Sequence, residues 1–139
     1  MASDEELRQV FREVRTIAVV GASMHEHKPS HYVPRYLQDQ GYRIVPVNPR
    51  GGEILGERVY RRLEDVDIPF DAVEVFRPPA EAAAVARSAI ACSAGVLWFQ
   101  LETHTDEAVR LAEEAGLRVV TDHCMMPEHR RLFASPGDR

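Results

Sequence analysis

Five short apolar runs alternate along this chain with segments whose apolar positions recur at helical spacing. The runs are Thr16-Ile-Ala-Val-Val20, Arg43-Ile-Val-Pro-Val47, Asp71-Ala-Val-Glu-Val-Phe76, Gly95-Val-Leu-Trp-Phe99 and Leu117-Arg-Val-Val-Thr121. Most are continuously apolar rather than alternating, as expected of strands buried on both faces of a parallel sheet. Ser3-Asp-Glu-Glu6 reads as a capping box ahead of Leu7, Val10, Phe11 and Val14, which predicts a short amphipathic helix. Ser30 is placed to cap a helix through about Gln40 that buries Val33, Tyr36 and Leu37 and stops at Gly41. The alanine-rich stretch from Ala80 to Ala91 is helical by propensity, and Thr105 with Glu107 to Ala115 predicts a helix closed by Gly116. Pro49, Gly51 and Gly52 break the chain, so residues 53 to 60 are expected to form a short irregular excursion carrying Ile54, Leu55 and Val59. Residues 122 to 133 predict a turn and a short helix, and the last four residues are expected to be loose.

Strands alternating with helices mean βαβ units, hence right-handed crossovers and helices on both faces of the sheet. The expected fold is α/β: a single Rossmann-like, doubly wound parallel sheet of about five strands. It forms one domain over residues 1–139 with its core at about 7–133, since no linker, repeat or low-complexity segment divides the chain. In such a sheet ligands sit beyond the carboxyl ends of the strands. The residues there are Gly21 to Ser23, Asn48 to Arg50, Phe76 to Pro78 and Trp98 to Gln100.

Composition narrows the partners. The formal net charge is −5, and no Lys/Arg block or aromatic-basic interleaving appears, which argues against a nucleic-acid surface. No run approaches the roughly 18 apolar residues of a membrane span, and the N-terminus lacks a basic and apolar leader, so a cytoplasmic protein is expected. Cys92 and Cys124 form no CxxC, giving no support to a disulfide framework or a thiolate zinc site. Positive charge comes from arginines and a single lysine, Lys28, just after the first strand. That bias fits genome composition, or a compact ammonium wanted beside a phosphate.

A glycine turn ahead of a helix favours phosphate binding. A dinucleotide fingerprint would need Gly-x-Gly-x-x-Gly, whereas the sequence is Gly21-Ala-Ser-Met-His-Glu26. An acidic residue should then end the second strand to hold the ribose diol, but Val47-Asn48-Pro49-Arg50 stands there. NAD is therefore disfavoured. A cation in that position suits a phosphate on the ribose, leaving NADP or a 3′-phosphorylated adenine nucleotide such as coenzyme A.

The combination Val19-Val-Gly-Ala-Ser23, Lys28-Pro-Ser30, Val45-Pro-Val-Asn-Pro49, Leu55-Gly56, Phe76-Arg-Pro78, Trp98-Phe-Gln100 and Asp122-His-Cys124 resembles the small stand-alone CoA-binding proteins. Their domain is similar to the N-terminal domain of the succinyl-CoA synthetase α subunit. The resemblance implies Gly21, Ala22, Ser23 and Lys28 for the pyrophosphate, and Asn48, Pro49 and Arg50 for the ribose phosphate. It implies Phe76, Arg77, Pro78, Trp98 and Gln100 for the groove that takes adenine and the pantetheine arm. Two departures stand out: Gln100-Leu-Glu102 where Trp-x-Gln-x-Gly is usual, and His123 in place of an arginine. In the related synthetase the phosphorylated histidine lies in a separate domain, so no ligase chemistry is implied here. The expected function is binding of CoA or an acyl-CoA as a carrier, sensor or regulatory module, with an enzyme of acyl metabolism as the expected protein partner. The alternative is an NADP-dependent or sugar-nucleotide-modifying enzyme using the same crevice.

Each of these residues also has a reading without function. Phe76 and Trp98 serve equally as core packing, and Arg77 and Lys28 as solvated loop charges. His25, His27 and His31 lack an acidic partner at helical spacing, so no metal site is assigned. Cys124 near His123 and His129 lacks a third orienting group, and no catalytic residue is assigned.

Overall fold

The computed structural model describes residues 2–133, so the expectation for the last four residues lies outside them. In chain order the elements are α1 (Asp4–Glu13), β1 (Thr16–Val20), α2 (Pro29–Asp39), β2 (Arg43–Val47), β3 (Glu53–Ile54), β4 (Glu57–Arg58), β5 (Ala72–Val75), α3 (Ala82–Ala91), β6 (Val96–Phe99), α4 (Asp106–Glu114), β7 (Arg118–Val120) and α5 (Met125–Leu132). Five of the strands form one parallel sheet in the order β2-β1-β5-β6-β7.

Successive side chains of a strand point to opposite faces, and here both faces are covered. Ile17, Val19, Ala72 and Trp98 meet Leu7 and Phe11 of α1, Leu37 of α2 and Met125 of α5. Ala18, Val45, Val73, Leu97 and Phe99 meet Ala82, Ala86 and Ala89 of α3 and Ala108 and Ala112 of α4. The alanines on α3 and α4 let those helices lie close to each other and to the sheet. The expected doubly wound α/β architecture is the observed one.

Local signals explain most boundaries. Ser3 Oγ accepts from Glu6 N at 3.2 Å and Thr105 Oγ1 from Ala108 N at 3.1 Å, capping α1 and α4. Ser30 does not cap α2. Pro29 takes the first helical position, where a missing N–H is harmless and φ is preset, so the cap position falls on Lys28 and Ser30 lies inside the helix. The 53–60 excursion is more regular than expected: β3 and β4 form an antiparallel ribbon, and a bridge from Val47 to Tyr60 ties it to the β2 edge.

β1 pairs with β2 on one side and β5 on the other, so the winding reverses between β1 and β5. The crevice of the fold therefore opens above Gly21 and Phe76.

Candidate functional site

Gly21 has φ +92°, and a Cβ built there would lie 2.7 Å from the Phe76 carbonyl oxygen and 2.8 Å from Arg77 Cδ. Only glycine permits this approach. Its N–H donates to Val47 O at 3.0 Å, while Phe76 N donates to Val20 O at 2.9 Å, so three strand ends are tied at one point. The loop then folds on itself: Ser23 Oγ accepts from His25 N at 3.0 Å, and His31 Nδ1 donates to the Ser23 carbonyl at 2.7 Å. Asn48 joins this loop to the next. Its Nδ2 donates to Ala22 O at 2.7 Å and its Oδ1 accepts from Arg50 N at 2.8 Å.

A cleft of about 400 Å³ opens between these loops, with Lys28, Arg50 and Arg77 on its walls and no carboxylate among its lining side chains. The start of α2 borders it through Lys28 and Ser30. The first turn of α2 holds no acidic residue, whereas α1 begins with Asp4, Glu5 and Glu6 and α4 with Asp106 and Glu107. Lys28, Arg50 and a helix N-terminus without an acidic first turn make this cleft suited to phosphate.

Arg77 lies where three hollows meet. Its guanidinium is held by Glu81, Nε to Oε1 at 3.1 Å and Nη2 to Oε2 at 2.7 Å. This pairing raises the Arg77 pKa and lowers that of Glu81. On the α3 side, Arg61 and Arg62 border a hollow of about 240 Å³ that shares Gly21, Pro49 and Arg77 with the polar cleft. Between α2 and α5, an apolar cleft of about 610 Å³ shares Phe76 and Arg77 with it.

Of the residues expected from sequence, Gly21, Ala22, Ser23, Lys28, Asn48, Pro49, Arg50, Phe76 and Arg77 line the polar cleft. Pro78 and Gln100, with Phe76 and Arg77, line the apolar one. Trp98 lines neither and is corrected to a core residue. Its position in β6 turns it onto the α1 face, where it is fully buried, 5.2 Å from the Phe11 ring, with Nε1 donating to His123 O at 2.8 Å. Arg61 and Arg62 were not foreseen, because only the Val47–Tyr60 bridge carries them to the crevice.

Glu74 was also missed. It lies in the middle of β5, in register with Val19 and Trp98, and is fully buried. Gln100 Nε2 donates to its Oε2 at 2.5 Å, but burial dominates and pushes its pKa up to about 8. The carboxyl is therefore neutral at pH 7. The signal available in the sequence was a lone acid inside a strand otherwise apolar on both faces.

His123 does not activate Cys124. Its Nδ1 lies 3.6 Å from Glu128 Oε2, and burial, aided by Glu74 and Glu128, pushes the Cys124 thiol up. At pH 8 the thiolate is scarce, so alkylation of Cys124 by iodoacetamide is expected to run slower than that of free cysteine and to speed up with pH. Mass spectrometry of timed samples reads this, and alkylation as fast as the free thiol would contradict it. His129 stands apart, among Phe11, Tyr36, Tyr42 and Phe133. Among the described residues no three His, Cys, Asp or Glu side chains group to hold a metal ion. None of the described helices is long and apolar enough to cross a membrane.

A family model described as CoA binding domain matches residues 15–130, which include every strand and both main clefts. The chain belongs to this CoA binding domain family. It is 35% identical over 127 residues to the uncharacterized protein YneT of Bacillus subtilis, covering 91% of this chain and 94% of that one. A solved structure from Thermus thermophilus is similar with a TM-score of 0.90 and 43% identity, covering 95% of this chain and 100% of that one. The ADP-forming acetate–CoA ligase of Methanocaldococcus jannaschii is 26% identical over 134 residues, covering 87% of this chain but only 19% of the ligase. The family domain thus occurs at full length in small relatives and as a minor part of a large enzyme.

Proposed function

We propose that the protein binds coenzyme A, free or acylated, across the carboxyl ends of β1, β2, β5 and β6. In this reading it serves as a carrier, sensor or regulatory module that an enzyme of acyl metabolism reads. The observation that carries the reading is the carboxylate-free polar cleft with Lys28, Arg50 and Arg77 on its walls. Membership of the CoA binding domain family supports it. The Gly21-Ala22-Ser23 loop and the Lys28 ammonium take the pyrophosphate, while the Gly21 and Ser23 N–H groups stay on Val47 O and Ser30 O. Asn48 and Pro49 set the loop that brings Arg50 to the 3′-phosphate, and Phe76, Arg77, Pro78 and Gln100 guide the pantetheine arm. The matched region is a minor part of the ligase, so binding, and no ligase step, is attributed to this domain.

Calorimetric titration with CoA, dephospho-CoA, NAD and NADP tests the reading. CoA should bind most tightly. A charge-assisted contact is worth about 1.5 to 3 kcal/mol, so Arg50→Ala should weaken CoA by about tenfold or more and leave dephospho-CoA nearly unchanged. Arg50 is exposed, so the variant should fold. NADP binding as tightly as CoA would favour a nucleotide-dependent enzyme instead.

A further inference from the structure

The cleft between α2, α5 and the ends of β5 and β6 differs in chemistry from the polar cleft it adjoins. Tyr32, Val33, Leu101, Met126 and Pro127 make its walls mostly apolar, and its volume of about 610 Å³ is typical of a small-molecule site. Arg77 is the one charged side chain on its lining, and Glu81 already holds it. Among the described residues two large hydrophobic side chains are exposed, Met24 and Leu101, and each lines one of the two adjoining clefts. An apolar group bound in this cleft would cover Leu101 and remove its exposed surface from water.

We propose that this cleft holds the acyl group of an acyl-CoA and selects neutral, apolar acyl chains over free CoA and over carboxylate-bearing acyl groups. The proposal rests on the CoA reading above, with the phosphates in the polar cleft and the arm passing between Phe76 and Arg77. The acyl chain then covers Leu101 and Met126. A carboxylate at its end would lose its water against walls that offer no uncommitted cation.

The experiment is titration of the protein with CoA, acetyl-CoA, butanoyl-CoA, hexanoyl-CoA and succinyl-CoA. Affinity should rise about twofold to fourfold per methylene, given the half-open site. Hexanoyl-CoA should bind at least about tenfold more tightly than CoA, and succinyl-CoA no more tightly than CoA. Leu101→Ser, at an exposed position that does not threaten folding, should cut the ratio of hexanoyl-CoA to CoA affinity by about threefold or more. A series flat within about twofold, or one in which succinyl-CoA binds best, overturns the acyl site while leaving CoA binding intact. Failure of every thioester and of CoA itself overturns both readings.

Discussion

Replacing Glu74 by glutamine is expected to raise stability by no more than about 1 kcal/mol near pH 5 and by several kcal/mol at pH 8. Burial holds the folded carboxyl neutral up to about pH 8, whereas the same group in the unfolded chain ionises near 4.5. Between those values the folded protein keeps a proton that the unfolded chain has lost. Stability then falls as pH rises, by at most about 1.4 kcal/mol per pH unit for one proton. The contribution is fully present below the unfolded pKa and gone once pH passes the folded one. Glu74→Gln removes the titration and keeps shape and polarity beside Gln100, so the fall disappears. Asp4, Glu64, Asp67 and Glu81 are all shifted downwards and act at lower pH, which leaves the window from 5 to 8 to Glu74 among these shifted carboxyls. Urea midpoints of both proteins at pH 5 and pH 8 measure the effect. Parallel pH profiles would mean that Glu74 ionises in the folded protein much as it does in water.

The parts of the molecule legible in the sequence are those where one local cause acts alone. Ile17 to Val19 and Val96 to Phe99, short apolar runs bounded by turn residues, form buried strands as expected, and the Ser3 and Thr105 hydroxyls have no competitor for their caps. Ser30 failed as a cap because Pro29 sets the helix start two residues earlier, with the cap position on Lys28. The β3–β4 ribbon was illegible because strands of two residues carry no periodicity, and its ordering comes from contacts with the β2 edge. Within the site, the loop residues after each strand could be named, since a parallel sheet sends its carboxyl ends to the ligand whatever the side chains. How deep a residue lies along its strand was harder to see. Trp98 and Gln100 lie two apart and share a face, yet Trp98 sits one pleat deeper and is sealed under α1, while Gln100 reaches the cleft wall. Leu101 and Met126 escaped notice because apolar side chains at a binding site look, in one dimension, like core.

Gly21→Ala is expected to abolish most ligand binding, lowering CoA affinity by at least about thirtyfold, and to destabilise the fold by about 2 to 4 kcal/mol. Two costs act together. The backbone at φ +92° is one that an L side chain rarely adopts, and the new methyl would sit 2.7 Å from the Phe76 carbonyl oxygen. Arg77 Cδ, at 2.8 Å, can swing aside, but the Phe76 carbonyl is backbone at the very end of β5. Relief therefore moves the end of β5 away from β1 or twists the Gly21 loop. Either movement displaces the backbone beside Lys28 and shifts Arg77, the residue common to all three hollows. Gly52→Ala separates the two costs. Gly52 has φ +93° with nothing within 4 Å of a built Cβ, and it does not line the polar cleft. That variant should lose a comparable part of its stability to backbone strain and keep its affinity for CoA. Titration of both variants at a temperature where circular dichroism shows each folded is the measurement. Should Gly21→Ala bind CoA as tightly as Gly52→Ala, the approach of β1 to Phe76 is a packing feature of the sheet and does not shape the phosphate cleft.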